Sequence, residues 1–112
     1  MISIGFDLRV PGMDSSEIAH QYRANVGMAQ CVDLQEAPFQ IGLCEHHASP
    51  DGYMPSPMVV ASAMAAVSAR TPMTTAALLL LFYDAILLAG DFIVLNHTSG
   101  GRGHGSLFYL PK

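Results

Sequence analysis

The chain has 112 residues, a length that suits one domain or a piece of one. Nine acidic against five basic side chains leave a formal charge of −4 and a pI near 5.6, which argues against a nucleic-acid binder with its clustered basic face. An apolar fraction of 51% with only 12% charged residues excludes a disordered chain.

Ile2, Ile4, Phe6 and Leu8 alternate with Ser3, Gly5 and Asp7 and predict a first strand, broken by Val10-Pro11-Gly12. Asp14 with Glu17 three residues on fits a capping box, and Ile18, Tyr22, Val26 and Ala29 follow at helical spacing, so a helix is expected over 15–32. Phe39, Ile41 and Leu43 alternate with Gln40, Gly42 and Cys44 in a second strand that ends at Glu45-His46-His47. The turn formers Pro50, Asp51-Gly52 and Pro55 mark a loop. Ser56-Pro57 starts a second helix over 57–69, because proline at the first helical position forfeits only an unpaired N–H. Thr74–Leu81 predicts a strand buried on both faces. Asp84 then caps a helix to His97 with Asp84, Asp91 and Thr98 on one stripe, and a weak strand over 106–110 ends the chain. Strand and helix alternate throughout, so the fold class is α/β with parallel strands and right-handed crossovers, in one unit over 1–112.

Charge is unevenly spread. Between Asp51 and Asp84 the only charged side chain is Arg70, so part of the middle third is expected to be buried by a partner chain or by further sequence. The apolar run from Ala76 to Leu95 resembles a membrane span. Its large aliphatic and aromatic residues favour insertion by about 4–7 kcal/mol and its two aspartates oppose it by about 5–7, so hydropathy does not decide; periodicity favours a strand and a helix, and no membrane partner is expected. Cys31 and Cys44 offer no disulfide framework, and the N-terminal residues carry no basic segment leading into an apolar run. No signal peptide, reduced thiols and a cytoplasmic location are the expectation.

Glu45-His46-His47 is the densest cluster of functional groups, at the strand end where α/β proteins place ligands. Histidine there suits general acid–base work, and adjacent histidines on extended chain point to opposite sides. A polar strand end without chemistry is the bland alternative. A metal set would need Glu45, His46, His47, His97 and His104, none paired at the i, i+4 separation of a helical zinc motif, so no metal is expected. Cys44 and His46 on one strand face lack a third, orienting group for nucleophilic catalysis. The glycine-rich stretch 99–105 follows a helix and leads to a strand, the reverse of a dinucleotide fingerprint, and fits a helix stop. The seven methionines fit core or interface filling.

Several ordered motifs carry a resemblance. Ile-Gly-Phe-Asp-Leu-Arg at 4–9, Ile-Gly-Leu-Cys-Glu-His-His at 41–47, Asp-Gly-Tyr-Met-Pro-Ser-Pro at 51–57 and Leu-Leu-Leu-Leu-Phe-Tyr-Asp at 78–84 occur in order. Leu-Ala-Gly-Asp at 88–91, Val-Leu-Asn-His at 94–97 and Ser-Gly-Gly-Arg at 99–102 follow. Together they resemble the N-terminal part of the luciferase-like flavin-dependent monooxygenases.

The resemblance implies the first three to four βα units of a (β/α)8 barrel, which takes about 250 residues to close. It implies reduced flavin, usually FMN, reacting with oxygen while a small organic substrate is oxidised, or, in a related branch, the deazaflavin F420 transferring hydride instead. His46 matches the family's active-site histidine as general acid–base, with Glu45 positioning it. Phe6 and Ala76, Ala77 and Leu78 match positions that line the isoalloxazine, while the phosphate and much of the substrate pocket come from later strands. Helices 57–69 and 84–97 match a homodimer interface. The chain departs from the family at Glu36-Ala37-Pro38-Phe39-Gln40, at Leu81 and Ala85 in place of prolines, at Gly90, and from Gly103 on. The alternative to a flavin-dependent monooxygenase is a non-catalytic module for flavin binding or dimerisation.

Overall fold

The computed structural model describes residues 1–108. The elements are β1 (Ile2–Phe6), α1 (Ser15–Asp33), β2 (Phe39–Cys44), α2 (Pro57–Val67), β3 (Met73–Leu79), α3 (Ala85–Ser99) and β4 (Gly103–Phe108). All strand pairs are parallel, in the spatial order β1-β2-β3-β4. The α/β alternation expected from the sequence is therefore the fold.

Local chemistry sets most boundaries. Asp14 Oδ1 accepts the N–H groups of Ser16 and Glu17 at 2.8 and 3.0 Å, and Glu17 Oε2 accepts the Asp14 N–H at 2.8 Å, completing the capping box of α1. Pro57 opens α2, although the Ser56 side chain makes no capping bond, and α2 stops at Val67 rather than 69. Asp84 caps α3 through Ile86 and Leu87, and left-handed Gly100 ends it two residues later than expected. β1 stops at Phe6, two residues short of Leu8, which turns left-handed at φ 53° but stays buried. β3 begins at Met73 and ends at Leu79 because Leu80–Phe82 winds into a 3-10 turn. β4 starts three residues earlier than the expected strand, whose residues 109 and 110 lie outside those described.

Register sorts the side chains onto two faces. Ile4 pairs with Ile41, Phe6 with Leu43, Ile41 with Met73 and Leu43 with Thr75, and these residues face the helices. They join Met54, Met58, Ala61, Met64, Leu78, Leu88 and Leu95 in one core, where the methionines act as filler. Alternation leaves Ser3, Gly5, Gln40, Gly42, Cys44, Thr74 and Ala76 on the other face, which no helix covers. β4 approaches α3 closely: a Cβ on Gly103 would lie 2.7 Å from Leu95 Cγ, and one on Gly105 2.1 Å from Phe92 Cζ.

The end of the sheet where the strands begin is held by two charged side chains. Asp33 accepts from the backbone of Ala69, Arg70 and Thr71 at 2.7–2.9 Å and from the Thr71 hydroxyl at 2.8 Å. Arg102 donates to the carbonyls of Ala65, Ser68, Thr71 and Ser99, so it caps the C-terminus of α2. The opposite end is left for function. No helix among the described residues is long and apolar enough to cross a membrane.

Candidate functional site

The strand ends bring three loops together. The loop after β2 folds back over the one after β1, with Val10 N–H donating to Asp51 O at 2.8 Å, and closes on itself through His46 N–H to Met54 O at 3.1 Å. Met54 is fully buried beneath this crossing. Asp51 accepts from the Ser49 hydroxyl and from Tyr53 N–H, and the Ser49 bond holds its carboxyl below the usual range. Arg9 is tied to Asp7 by bonds of 2.8 and 2.5 Å and lies over the Tyr53 ring at 5.4 Å. Arg9, Glu45, His46, Ser49, Asp51 and Tyr53 line a polar hollow of about 320 Å³. A more apolar groove of about 400 Å³ lies between α1 and α2, lined by Tyr22, Val26, Val59 and Ala63 among others, and contains none of the strand-end groups.

Glu45 is the centre of the site. Its side chain is fully buried. Oε2 accepts Leu79 N–H at 2.9 Å, while Oε1 accepts the Tyr83 hydroxyl at 3.1 Å and the His47 Nε2–H. Burial first, then the charge and hydrogen bond of Glu45, push the Tyr83 phenol up, so it stays a donor. The His47 ring also packs on Phe82, with centroids 4.9 Å apart.

The carboxylate of Glu45, expected to position His46, makes its histidine bond to His47. On extended chain, residues two apart share a side, so Glu45 reaches His47. His46 is exposed, and its ring meets Tyr53 edge-on at 5.7 Å. The metal set considered from sequence is not assembled: His97 and His104 lie in the last turn of α3 and at the start of β4, at the other end of the sheet. Among the described residues no three His, Cys, Asp or Glu side chains converge as a metal would require.

Of the residues expected to line a flavin, Ala76 and Ala77 lie in a bulge of β3, between the paired positions Thr75 and Leu78. Ala77 is left-handed at φ 64°, an unfavourable conformation for a residue with a Cβ. Phe6 and Leu78 sit instead in the core, 5% and 0% exposed. Sequence reasoning gave no role to Tyr83, Asp51, Tyr53 or Arg9. Each lies inside a quoted motif, but none falls in a pattern that announces its partner.

Residues 9–103 match the luciferase-like monooxygenase family. A curated relative, the uncharacterized protein y4wF of Sinorhizobium fredii, is 30% identical over 99 residues, 84% of this chain and 29% of the relative. Among solved structures, monooxygenase RslO1 from Streptomyces bottropensis superimposes with a TM-score of 0.81 at 27% identity, over 99% of this chain and 34% of that one. The oxygenating constituent of 3,6-diketocamphane monooxygenase from the CAM plasmid of Pseudomonas putida, in complex with FMN, superimposes with a TM-score of 0.83 at 17% identity, over 99% and 30%. The chain thus spans about three-tenths of the length of these proteins. Its parallel βα units are a partial (β/α)8 barrel, and the chain belongs to the luciferase-like monooxygenase family.

Proposed function

We propose that this chain supplies one wall of the flavin site of a monooxygenase acting on a small organic substrate, with FMN as the flavin. The observation that carries the proposal is the β3 bulge with its left-handed Ala77 at the strand ends. Strain at a non-glycine residue persists only where the surroundings enforce it, and it concentrates at ligand sites. The bulge adjoins Cys44 and Ala76 on the open face, and farther along that face a Cβ on Gly5 would meet nothing within 4 Å, whereas one on Gly42 would meet Ser3 Oγ at 3.0 Å. Bulky residues there would fill the space, whereas these leave room for a flat apolar ring system. FMN is the flavin in the Pseudomonas putida structure, and that likeness favours it over F420.

Reduced flavin, when bound, supplies the electrons that activate dioxygen. The chain's own residues shape the wall and handle protons. His46 lines the hollow and is the proposed acid–base group, free to meet a ligand because no carboxylate holds its ring. Two copies are proposed to pair through α2 and α3, whose outer faces expose Val59, Ile86, Leu87, Ile93 and Val94.

Titration with FMN, followed by quenching of flavin fluorescence, tests the proposal. Saturable quenching at a defined stoichiometry is expected, with turnover of a bound substrate lost in His46→Ala. A folded protein that leaves FMN unquenched overturns the flavin site, and binding without turnover identifies the non-catalytic module. A parallel titration with F420 decides between the two flavins.

A further inference from the structure

We infer that Glu45 is the positioning residue of this site: its buried carboxylate fixes the β3 bulge through Leu79 and the His47 ring through Nε2, and it does not serve His46. The inference rests on the flavin reading for its purpose but on contacts within this chain for its content.

The pairing of β2 with β3 stops at Cys44 and Ala76. Beyond it β3 bulges, and it resumes pairing with β4 at Leu78 and Leu79. Past the end of β2 no strand backbone remains on that side, and Glu45 Oε2 takes the Leu79 N–H at 2.9 Å in place of a ladder bond. The bulge is thus tethered at the residue after its far end, next to the left-handed Ala77 that the tether helps to enforce. The other oxygen receives Tyr83 and His47. A carboxylate oxygen accepts at this contact, so His47 Nε2 carries a proton toward it, and whenever the ring is neutral Nδ1 is its acceptor. Its side chain is 36% exposed, so the oriented ring is half-buried rather than sealed. One buried carboxylate therefore ties the shape of the proposed flavin wall to the tautomer of a neighbouring histidine. No buried side-chain polar atom among the described residues is left without a partner, the Glu45 carboxylate included.

Glu45→Gln separates this role from a merely structural one. A glutamine amide has one oxygen and cannot accept at both positions. It therefore either presents N–H to His47, which switches the neutral ring to the Nδ1–H tautomer, or presents N–H to Leu79, which frees that amide. NMR of the flavin-free protein reads both, through the ring 15N resonances of His47 and hydrogen exchange at Leu79. A tautomer switch, or exchange at Leu79 about ten-fold faster, is expected, together with FMN binding weakened by about ten-fold. Tyr83→Phe, a milder change that keeps the fold, is expected to accelerate Leu79 exchange in the same direction, and His46→Ala to leave both NMR readouts unchanged. Unaltered His47 resonances and Leu79 exchange in both Glu45→Gln and Tyr83→Phe overturn the inference, as does unchanged FMN affinity in Glu45→Gln. If the unaltered protein binds no FMN, the flavin reading fails, and the flavin-free measurements still decide the role of Glu45.

Discussion

The carboxylate of Glu45 accepts the backbone N–H of Leu79 at 2.9 Å, joining the residue just past β2 to the one that closes β3. The sheet is thus continued by a side chain where its backbone ladder stops. That side chain also receives Tyr83 from the segment between the 3-10 turn and α3, so the ends of β2 and β3 and the approach to the next helix are fastened at one buried point. The opposite end of the sheet is fastened independently, by Asp33 and Arg102. This division lets the functional end be altered without dissolving the fold.

Tyr83 ties the Glu45 cluster to alkaline stability. Burial, then the charge and hydrogen bond of Glu45, raise its phenol pKa above the ordinary 10.0. A group bound more tightly to its proton in the folded state contributes stability that is complete below its unfolded pKa. That contribution is lost as pH rises through the folded value. Stability is therefore expected to fall above pH 10. Tyr83→Phe should cost about 1–2 kcal/mol at neutral pH and flatten that alkaline fall. Urea unfolding at neutral and alkaline pH measures both, and an alkaline limb unchanged by the substitution contradicts the assignment.

Asp33 governs the acid limb. Burial opposes its ionisation, but the N–H groups of Ala69, Arg70 and Thr71 and the Thr71 hydroxyl outweigh burial and hold the carboxyl well below its ordinary 3.8. With the folded pKa depressed, the contribution is present above pH 3.8 and lost as pH falls through the folded value. Asp33→Ala is expected to cost about 1–2 kcal/mol at pH 7, a figure reduced for solvent screening of a partly exposed group. It should also make acid unfolding below pH 4 less steep. A variant whose stability below that pH tracks the unaltered protein in parallel would rule the clamp out.

What the sequence made legible was local. The Asp14–Glu17 box, Pro57 and the Asp84 cap act within one turn, and each lies where its helix begins. The end of β3 was hidden by Leu78–Leu81, four identical side chains that carry no period and so conceal a bulge and a 3-10 turn. The site was half legible. Glu45-His46-His47 announced itself by density, yet its partners Leu79 and Tyr83 stand 34 and 38 residues away. Family likeness placed Phe6 and Leu78 at a flavin, whereas register puts Phe6 with Leu43 toward the helices, and Leu78 lies in the same core.

Gly103 reports how tightly α3 sits on β4. An added Cβ would fall 2.7 and 2.9 Å from Leu95 Cγ and Cδ2, and Leu95 is itself only 1% exposed. Gly103→Ala is expected to cost about 1–3 kcal/mol through overpacking. The same substitution combined with Leu95→Ala should cost less than the sum of the two single changes, because the shortened side chain vacates the space. Chemical denaturation of the four proteins in the cycle gives the coupling. Strict additivity would show that β4 shifts away from α3 instead.

The outer face of α3 makes association testable. Leu88, Leu95 and Ser99 are buried toward the rest of the fold, yet the exposed side is also apolar: Ile86 is 83% exposed, Leu87 70%, and Ile93 and Val94 59% each. Val59 on α2 is 70% exposed, and α2 carries no charged residue at all. Ile86, Leu87, Ile93 and Val94 thus leave apolar surface on α3 beside its polar stripe of Asp91 and Thr98, and a second copy of the same face is the proposed cover. Sedimentation velocity of the unaltered protein is expected to show a dimer. Ile93→Glu would bury a carboxylate in that interface and should give a monomer with unchanged far-UV circular dichroism. Met28→Glu introduces the same charge at an exposed site on α1, away from the proposed face, and should remain dimeric. A monomeric parent protein, or dissociation by Met28→Glu with Ile93→Glu still paired, would place the association elsewhere and leave the apolar face of α3 to another partner.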